Sequence, residues 1–391
     1  MASETVVIGG GTAGARLARQ LVTAGMSVTV LGEEPHAPYN RVLLAEVLAG
    51  RYGPEVIALP EVPVRSGVRA TAIDRDRRLV HCEDGTSLAY DRLVLATGSN
   101  PVLPPLRGLD GGLPEGVHAF RTMDDCEALS AAVRPGIGAV VVGGGLLGVS
   151  AARALAQRGA KVVLAQQGEH LMERQLDVAA SQLLRTHLEE LGVEVHTECR
   201  VRGLRGLRGT SVELADGYVL DAELVVIACG VRPRIGLAQD AGLDVRKGIV
   251  VDDELRTSDP YIHAIGDCAE HNGQIYGLAG PALDQADVLA KVLTGGTAAY
   301  TGTRALTRLT LAGQGPFDLA AFGETTPLPG DDVVRLADAT RGAYRKVVVR
   351  GDRLVGGILL GDLGTVGELA RTWEGDEPLP STPLLHLLGG S

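Results

Sequence analysis

Aromatic side chains make up only 3% of this sequence, with three Phe and one Trp. A binding surface that works mainly by stacking rings is therefore excluded. Cysteine is also sparse. Cys82, Cys126, Cys199, Cys229 and Cys268 are odd in number and scattered, and they form neither a CxxC nor a CxxxxC pair. That spacing argues against a disulfide framework, a zinc site or a vicinal dithiol centre. Small, buried, reduced thiols are expected, with Cys229 and Cys268 set apart because they adjoin glycine motifs. No apolar run reaches the roughly 18 residues of a membrane span, and MASETVVIGG enters a strand pattern without a basic and apolar leader. A cytoplasmic protein with no membrane attachment is expected. Positive charge is in deficit, with 37 Lys and Arg against 48 Asp and Glu for a net charge of -11. An acidic surface repels nucleic acid, so nucleic-acid binding is not expected.

Glycine, by contrast, is abundant at 53 of 391 residues, which suits many tight strand-to-helix turns. The length corresponds to about two or three domains, and two similar units stand out. One is ETVVIGGGTAGARLARQLVTAGMSVTVLGEE at 4–34; the other is GAVVVGGGLLGVSAARALAQRGAKVVLAQQ at 138–167. In each, a β-branched run (Val6 to Ile8; Val140 to Val142) leads into glycines and an Ala/Leu/Arg-rich helix, which stops at Gly25 or Gly159 before a second strand. Strand, glycine turn and helix together give a GxGxxG spacing its meaning.

Residues 79–97 read as a hairpin around Glu83-Asp84-Gly85 followed by the buried-strand run RLVLATG, and 212–230 repeat that pattern. The Pro/Gly-rich stretch 99–116 reads as a linker, with a return crossing near Val231 to Gly236. After Thr301 come short alternating strands at Arg304 to Leu311, Phe317 to Phe322, Tyr344 to Val349 and Leu354 to Leu360, then one helix near Gly364 to Trp373. The tail EGDEPLPSTPLLHLLGGS reads either as disordered or as a short apolar docking peptide. The expected fold class is α/β, with two Rossmann-like dinucleotide-binding domains and a small α+β C-terminal domain.

In the first unit Gly9 makes the turn, Gly11 lets a pyrophosphate approach the backbone, and Gly14 packs helix on strand. The helix N-terminus offers unpaired N–H groups to phosphates. Glu33, at the end of the next strand, is placed to accept hydrogen bonds from a ribose diol and would repel a 2′-phosphate. TSDPYIHAIGDCAE at 257–270 is a further buried strand ending in Gly266-Asp267, where a carboxylate can accept from a polyol chain.

The N-terminal GxGxxG, LATG at 95–98, the second GxGxxG and TSDPYIHAIGD together resemble the pyridine nucleotide-disulfide oxidoreductase superfamily of two-dinucleotide-domain flavoproteins related to glutathione reductase. PYNRVLLAEVLAG, FRTMDDCEAL, HLMERQLD and YGLAGPALDQADV carry a closer resemblance to the amino-terminal flavoprotein module of NADH-dependent assimilatory nitrite reductase large subunits, and next to rubredoxin and putidaredoxin reductases. The resemblance covers 4 to about 373 and implies FAD in the first unit and NADH or NADPH in the second. It implies FAD contacts at Gly9, Gly11, Thr12, Ala13, Gly14, Glu33, Arg41, Ala70, Thr97, Gly98, Arg121, Gly266, Asp267 and Ala279. A helix beginning within Pro281 to Ala286 would point its positive end at the flavin. The implied NAD(P) residues are Gly143, Gly145, Leu146, Leu147, Gly148, Ser150, Gln166 and Gly230. The implied division is 1–112 and 233–300 for the FAD domain, 113–232 for the NAD(P) domain, and 301–391 for a C-terminal interface domain suited to a homodimer or partner contact.

The chain departs from that pattern in several places. No cysteine precedes Cys82, so the reactive pair of disulfide-reducing relatives is missing, and the iron-sulfur and siroheme segments of nitrite reductases do not follow, so reduction of nitrite by this chain alone is not expected. Glu46 stands where a flavin-proximal lysine is common, Ser150 where relatives have a nicotinamide-side glutamate, and Gln166 where an acid holds the NADH ribose. Two lost charged hydrogen bonds, each worth about 1.5 to 3 kcal/mol, weaken NADH binding by something like one to four orders of magnitude unless compensated. Gln166 relaxes the choice between NADH and NADPH, and no Arg or Lys immediately follows it to favour NADPH.

The leading expectation is an FAD-dependent NAD(P)H oxidoreductase with no catalytic side-chain acid or base. It would pass electrons to a ferredoxin, a rubredoxin, or a nitrate or nitrite reductase subunit. The alternatives are a flavoenzyme redirected to a small molecule, of oxidase or monooxygenase type, and a non-catalytic FAD-holding subunit.

Overall fold

Runs such as Thr5-Val6-Val7-Ile8 and Ala139-Val140-Val141-Val142 have no polar face, so as strands they must be covered on both sides. The computed structural model describes residues 4–109, 112–205, 211–311, 317–338, 340–361, 363–364 and 366–379, and it does this twice over. One parallel sheet has the order Ile262–Ala264, Arg92–Leu95, Glu4–Ile8, Ser27–Gly32, Val64–Ser66. The second has the order Val117–Ala119, Leu224–Ile227, Gly138–Val142, Lys161–Ala165, Val193–His196, again all parallel. The two differ in origin at one edge. The first sheet takes its last strand from far downstream, whereas the second takes the corresponding strand from just upstream of its own glycine turn.

Each sheet carries a three-stranded antiparallel flap. Ala70–Asp74, Leu79–Cys82 and Ser87–Ala89 form one, with Gly85 at φ 83° in its turn; Val201–Arg205, Ser211–Leu214 and Val219–Asp221 form the other. The two crossings between units pair with each other, Ser99–Pro101 running antiparallel to Val231–Pro233. The helices Thr12–Thr23 and Leu146–Gln157 follow the glycine turns and end before Gly25 and Gly159, both with positive φ.

The apolar core of the first unit is self-contained. Tyr39, Leu44, Ala45, Val47, Leu48 and Ile57, by contrast, leave it and join the core of the second unit around Val149, Ala152 and Leu155. Where the Leu44–Leu48 helix meets the Leu146–Gln157 helix, Glu46 is ion-paired with Arg153, whose side chain is only 1% exposed. Glu46 also reaches Arg51 at 3.4 Å. This carboxylate is thus neutralised between helices, and it is absent from the residues lining the cavity described below, where its neighbours Val42 and Ala45 appear.

The C-terminal sheet is antiparallel in the order Leu306–Thr310, Asp318–Gly323, Arg353–Gly361, Ala343–Arg350, Asp332–Asp338, with the helix Val366–Gly375 packed on it through Leu369 and Trp373. The strand Asp332–Asp338 was not expected from the sequence. It lies at the sheet edge, is largely solvated and carries charges, so it lacks the alternation that marks a half-buried strand. The domain docks on the second unit. Tyr344 Oη and Lys346 Nζ each donate to Asp177 Oδ2 at 2.8 Å, and His187 stacks on Phe317 at 4.3 Å. Most of the apolar tail, 380–391, lies outside the described residues. Among the described residues no helix is long and apolar enough to cross a membrane.

Candidate functional site

The two glycine turns have the same internal geometry. A Cβ on Gly9 would stand 2.0 Å from the Ala96 carbonyl oxygen, and one on Gly143 would stand 2.5 Å from that of Ala228. Both residues have φ above 100°, so each turn is closed to any side chain. A Cβ on Gly14 would meet the Gly9 oxygen at 2.0 Å and one on Gly148 the Gly143 oxygen at 1.7 Å, which lets helix and strand pack backbone to backbone. The middle glycines behave differently. Gly11 and Gly145 have nothing within 4 Å of an added Cβ, so there the backbone faces open space at a helix N-terminus. That vacant approach, with unpaired N–H groups behind it, fits a pyrophosphate in each unit.

Two cavities meet at Gly11, Arg41, Gly98 and Arg121. The first, about 1110 Å³, runs from Gly11–Ala13 of one turn to Gly143–Leu147 of the other and takes in Ser150, Gln166, Gly230, Gly266, Asp267 and Ala279. The second, about 1030 Å³, extends from Gly9 past Glu33, Ala70 and Thr97. Of the residues expected at the site, only Gly14 and Gly148 line neither cavity, and these are the two that pack helix on strand.

Where the cavities meet, Asp267 Oδ2 accepts from Arg121 Nη2 at 2.7 Å and from Ser99 Oγ at 2.8 Å. Arg121 also donates to Ser99 Oγ at 2.7 Å. This triad draws on the crossing strand, the second unit and the Gly266-Asp267 turn; Ser99 was not singled out from the sequence. Arg41 is fixed by an ion pair to Glu34, by the Tyr39 hydroxyl at 2.8 Å and by the Arg121 carbonyl at 3.0 Å. Burial, with Glu34 accepting its proton, raises the Tyr39 phenol far above its ordinary value, so it stays a donor. Glu33 faces the second cavity with Arg234 at 2.6 Å and Arg69 at 3.8 Å. Thr97 Oγ1 donates to the Arg234 carbonyl at 2.8 Å, tying this strand end to the returning crossing.

The helix after Gly266-Asp267 spans Ala279–Leu293, so it begins before Pro281 and not within Pro281 to Ala286 as expected. Proline is accommodated there because first-turn N–H groups have no intrahelical partner. Ala279 and Ala282 of that first turn line the cavity, and Gln285 Oε1 accepts the Gly266 N–H at 2.7 Å.

At the other end, Ser150 is buried and its hydroxyl donates to the Leu146 carbonyl at 2.8 Å. Its proton is thus used inside the helix, and its oxygen remains available as an acceptor. Gln166 Oε1 accepts the Gly144 N–H at 2.8 Å, so the side chain braces the glycine turn. Cys229 lines this end of the cavity with its sulfur 3.6 Å from the Val142 carbonyl oxygen, and burial of the thiol raises its pKa. The buried thiol of Cys268 is likewise raised by burial. All five cysteines are free, with Cys82, Cys126 and Cys268 buried.

Residues 3–286 match the pyridine nucleotide-disulphide oxidoreductase family, and residues 308–374 match the rubredoxin NAD+ reductase C-terminal domain. A nitrite reductase [NAD(P)H] of Bacillus subtilis is 34% identical over 98% of this chain and 49% of its own length. A probable ferredoxin reductase of Castellaniella defragrans is 32% identical over 90% of this chain and 89% of its own. Among solved structures, the covalent putidaredoxin reductase–putidaredoxin complex superposes with a TM-score of 0.86 at 27% identity, covering 99% of this chain and 98% of that one. The chain thus spans about half the length of the nitrite reductase relative and nearly all of the ferredoxin reductase. With the family matched over most of its length, the chain belongs to the pyridine nucleotide-disulphide oxidoreductases, flavoenzymes that use FAD with NAD(P)H.

Proposed function

We propose that this chain takes hydride from NAD(P)H and passes the electrons to a separate redox protein: a ferredoxin, a rubredoxin, or a nitrate or nitrite reductase subunit. The observation that carries the reading is the cavity of about 1110 Å³ reached by both glycine turns, which offers room for two dinucleotides to meet. FAD, when bound, would supply the hydride-accepting and electron-releasing chemistry. The chain's own residues position and polarise. The N–H groups from Gly11 to Ala13 receive one pyrophosphate, and those from Gly145 to Leu147 the other. Asp267 accepts from polyol hydroxyls, held in place by Arg121 and Ser99. The first turn of Ala279–Leu293 places a positive helix end against the cavity, where it favours added negative charge. No side-chain acid or base is required.

In this reading the FAD unit comprises 1–112 and 233–300, the nucleotide unit 113–232, and the C-terminal unit 301–391. The exposed apolar side chains of Val42 and Ile275 at the cavity rim offer an edge for the acceptor. The test is an anaerobic titration of the yellow protein with NADH and with NADPH, followed by addition of a ferredoxin or a rubredoxin. Rapid bleaching and reoxidation by a carrier are expected. No bleaching by either nucleotide, in protein that dithionite does reduce, would overturn the proposal.

A further inference from the structure

The two glycine units part company at their strand ends. Glu33 closes the first, Gln166 the second. Because Gln166 Oε1 is taken by the Gly144 N–H, the group it has left for a ligand is an amide donor. The segment after the neighbouring strand runs alongside. The Cys199 N–H donates to the Gln166 carbonyl and that of Glu198 to Gly168, each at 2.8 Å. Arg200 and Arg202 follow directly, on either side of Val201 at the start of the flap strand, and both are exposed. They line the same cavity as Gln166, together with Arg174 from the turn beyond it. Among the described residues none of these three guanidinium groups has an ion-pair or hydrogen-bond partner.

One carboxylate at this end belongs to the cavity lining, that of Glu173. It is partly committed to its own turn, accepting the Glu169 N–H at 2.8 Å and lying 3.5 Å from Gln166 Nε2. Three unpartnered cations and an amide donor therefore face one engaged acid. A bare ribose diol, which donates, finds few acceptors here. A phosphate, which only accepts, finds forked donors of the right charge.

We propose that the adenosine end of the second dinucleotide site binds a 2′-phosphate through Arg200 and Arg202, assisted by Arg174, so that NADPH is the preferred reductant. The proposal deepens the NAD(P)H reading above and rests on it.

The test separates binding from electron transfer. Calorimetry on the full-length, FAD-loaded protein compares adenosine 2′,5′-bisphosphate with ADP. Charge-assisted contacts predict a preference of about tenfold or more for the bisphosphate, the low end of the range because the arginines are exposed. The double substitution Arg200→Ala with Arg202→Ala should abolish that preference, and Gln166→Glu should reverse it. Equal affinity for the two ligands in the wild type, or a double variant that loses both in step, overturns the proposal. Anaerobic stopped-flow then distinguishes the two readings. Fast bleaching by NADH alone would sink the NADPH preference and leave the reductase intact. Bleaching by neither nucleotide, alongside an arginine-dependent bisphosphate preference, would sink the reductase and leave the phosphate site standing.

Discussion

Replacing Glu46 by Leu removes an ion-pair partner of a guanidinium that is almost entirely enclosed, with 1% of the Arg153 side chain exposed. Burial already pulls the Arg153 pKa down, and Glu46 is the group that counters this. Stranding a buried charge costs about 3 to 5 kcal/mol. The Gln157 side chain, 3.1 Å from Arg153, softens this, so a loss near 3 kcal/mol is expected for Glu46→Leu. Arg153→Met should cost less, roughly 1 to 2 kcal/mol, because Glu46 is more open and keeps Arg51 at 3.4 Å. The double variant should return close to wild type, giving a coupling energy of about 4 to 5 kcal/mol, since an apolar pair of similar volume avoids both desolvation penalties. The assay is urea unfolding at saturating FAD, followed by circular dichroism and flavin fluorescence so that coincident transitions license two-state analysis. A Glu46→Leu variant within 1 kcal/mol of wild type, or a double variant no better than that single, would refute the reasoning.

Three further outcomes are expected. Because an added side chain at Gly11 or Gly145 meets no protein atom within 4 Å, valine at either position should fold but intrude on a ligand. Gly11→Val should purify largely without flavin. Gly145→Val should keep its flavin yet need roughly tenfold or more NAD(P)H for half-saturation, the scale of a 1.4 kcal/mol loss, and loss of flavin from both would contradict the division of labour. Burial, aided by Arg256 and Arg92, pushes the His263 imidazole down to about 4, so the unfolded chain binds the extra proton first. Stability should then rise with pH between about 4 and 6.5 and fall by about 3 kcal/mol on acidification through that window; urea midpoints of His263→Leu should show a shallower pH dependence. Finally, Cys229 should be the first thiol alkylated by iodoacetamide, faster as pH rises toward 9, with NAD(P)H slowing the reaction and Cys82, Cys126 and Cys268 remaining unlabelled.

The repeated unit was legible because parallel strands buried on both faces read as unbroken β-branched runs, and because a glycine that must avoid a carbonyl admits no substitute. Gly9, Gly14, Gly143 and Gly148 are of that kind. What the sequence did not disclose are the contacts made across long separations. Nothing near Glu46 announces Arg153, and nothing near Asp177 announces Lys346, because each pair is set by how one unit settles on another. The strand Asp332–Asp338 escaped notice because an edge strand wetted on both faces carries no periodic signal. The arginines around Gln166 were missed for a related reason. No Arg or Lys directly follows the strand end at Gln166, whereas these come mainly from the neighbouring strand's continuation.

The pairing of Ser99–Pro101 with Val231–Pro233 has a practical consequence. It places the entry and exit of the inserted second unit side by side, which is the arrangement that lets a segment be cut out and replaced as a cassette. A chimera that exchanges the interval between those strands for that of a relative would thereby swap nucleotide preference onto an unchanged flavin domain. The exchange must keep the contacts of Asp177 and His187 to the C-terminal domain, and it has a further condition. Tyr39 to Ile57 lies outside that interval yet packs within the second unit's core, so the donor must bring this segment along or leave its apolar face against a surface it never evolved to meet.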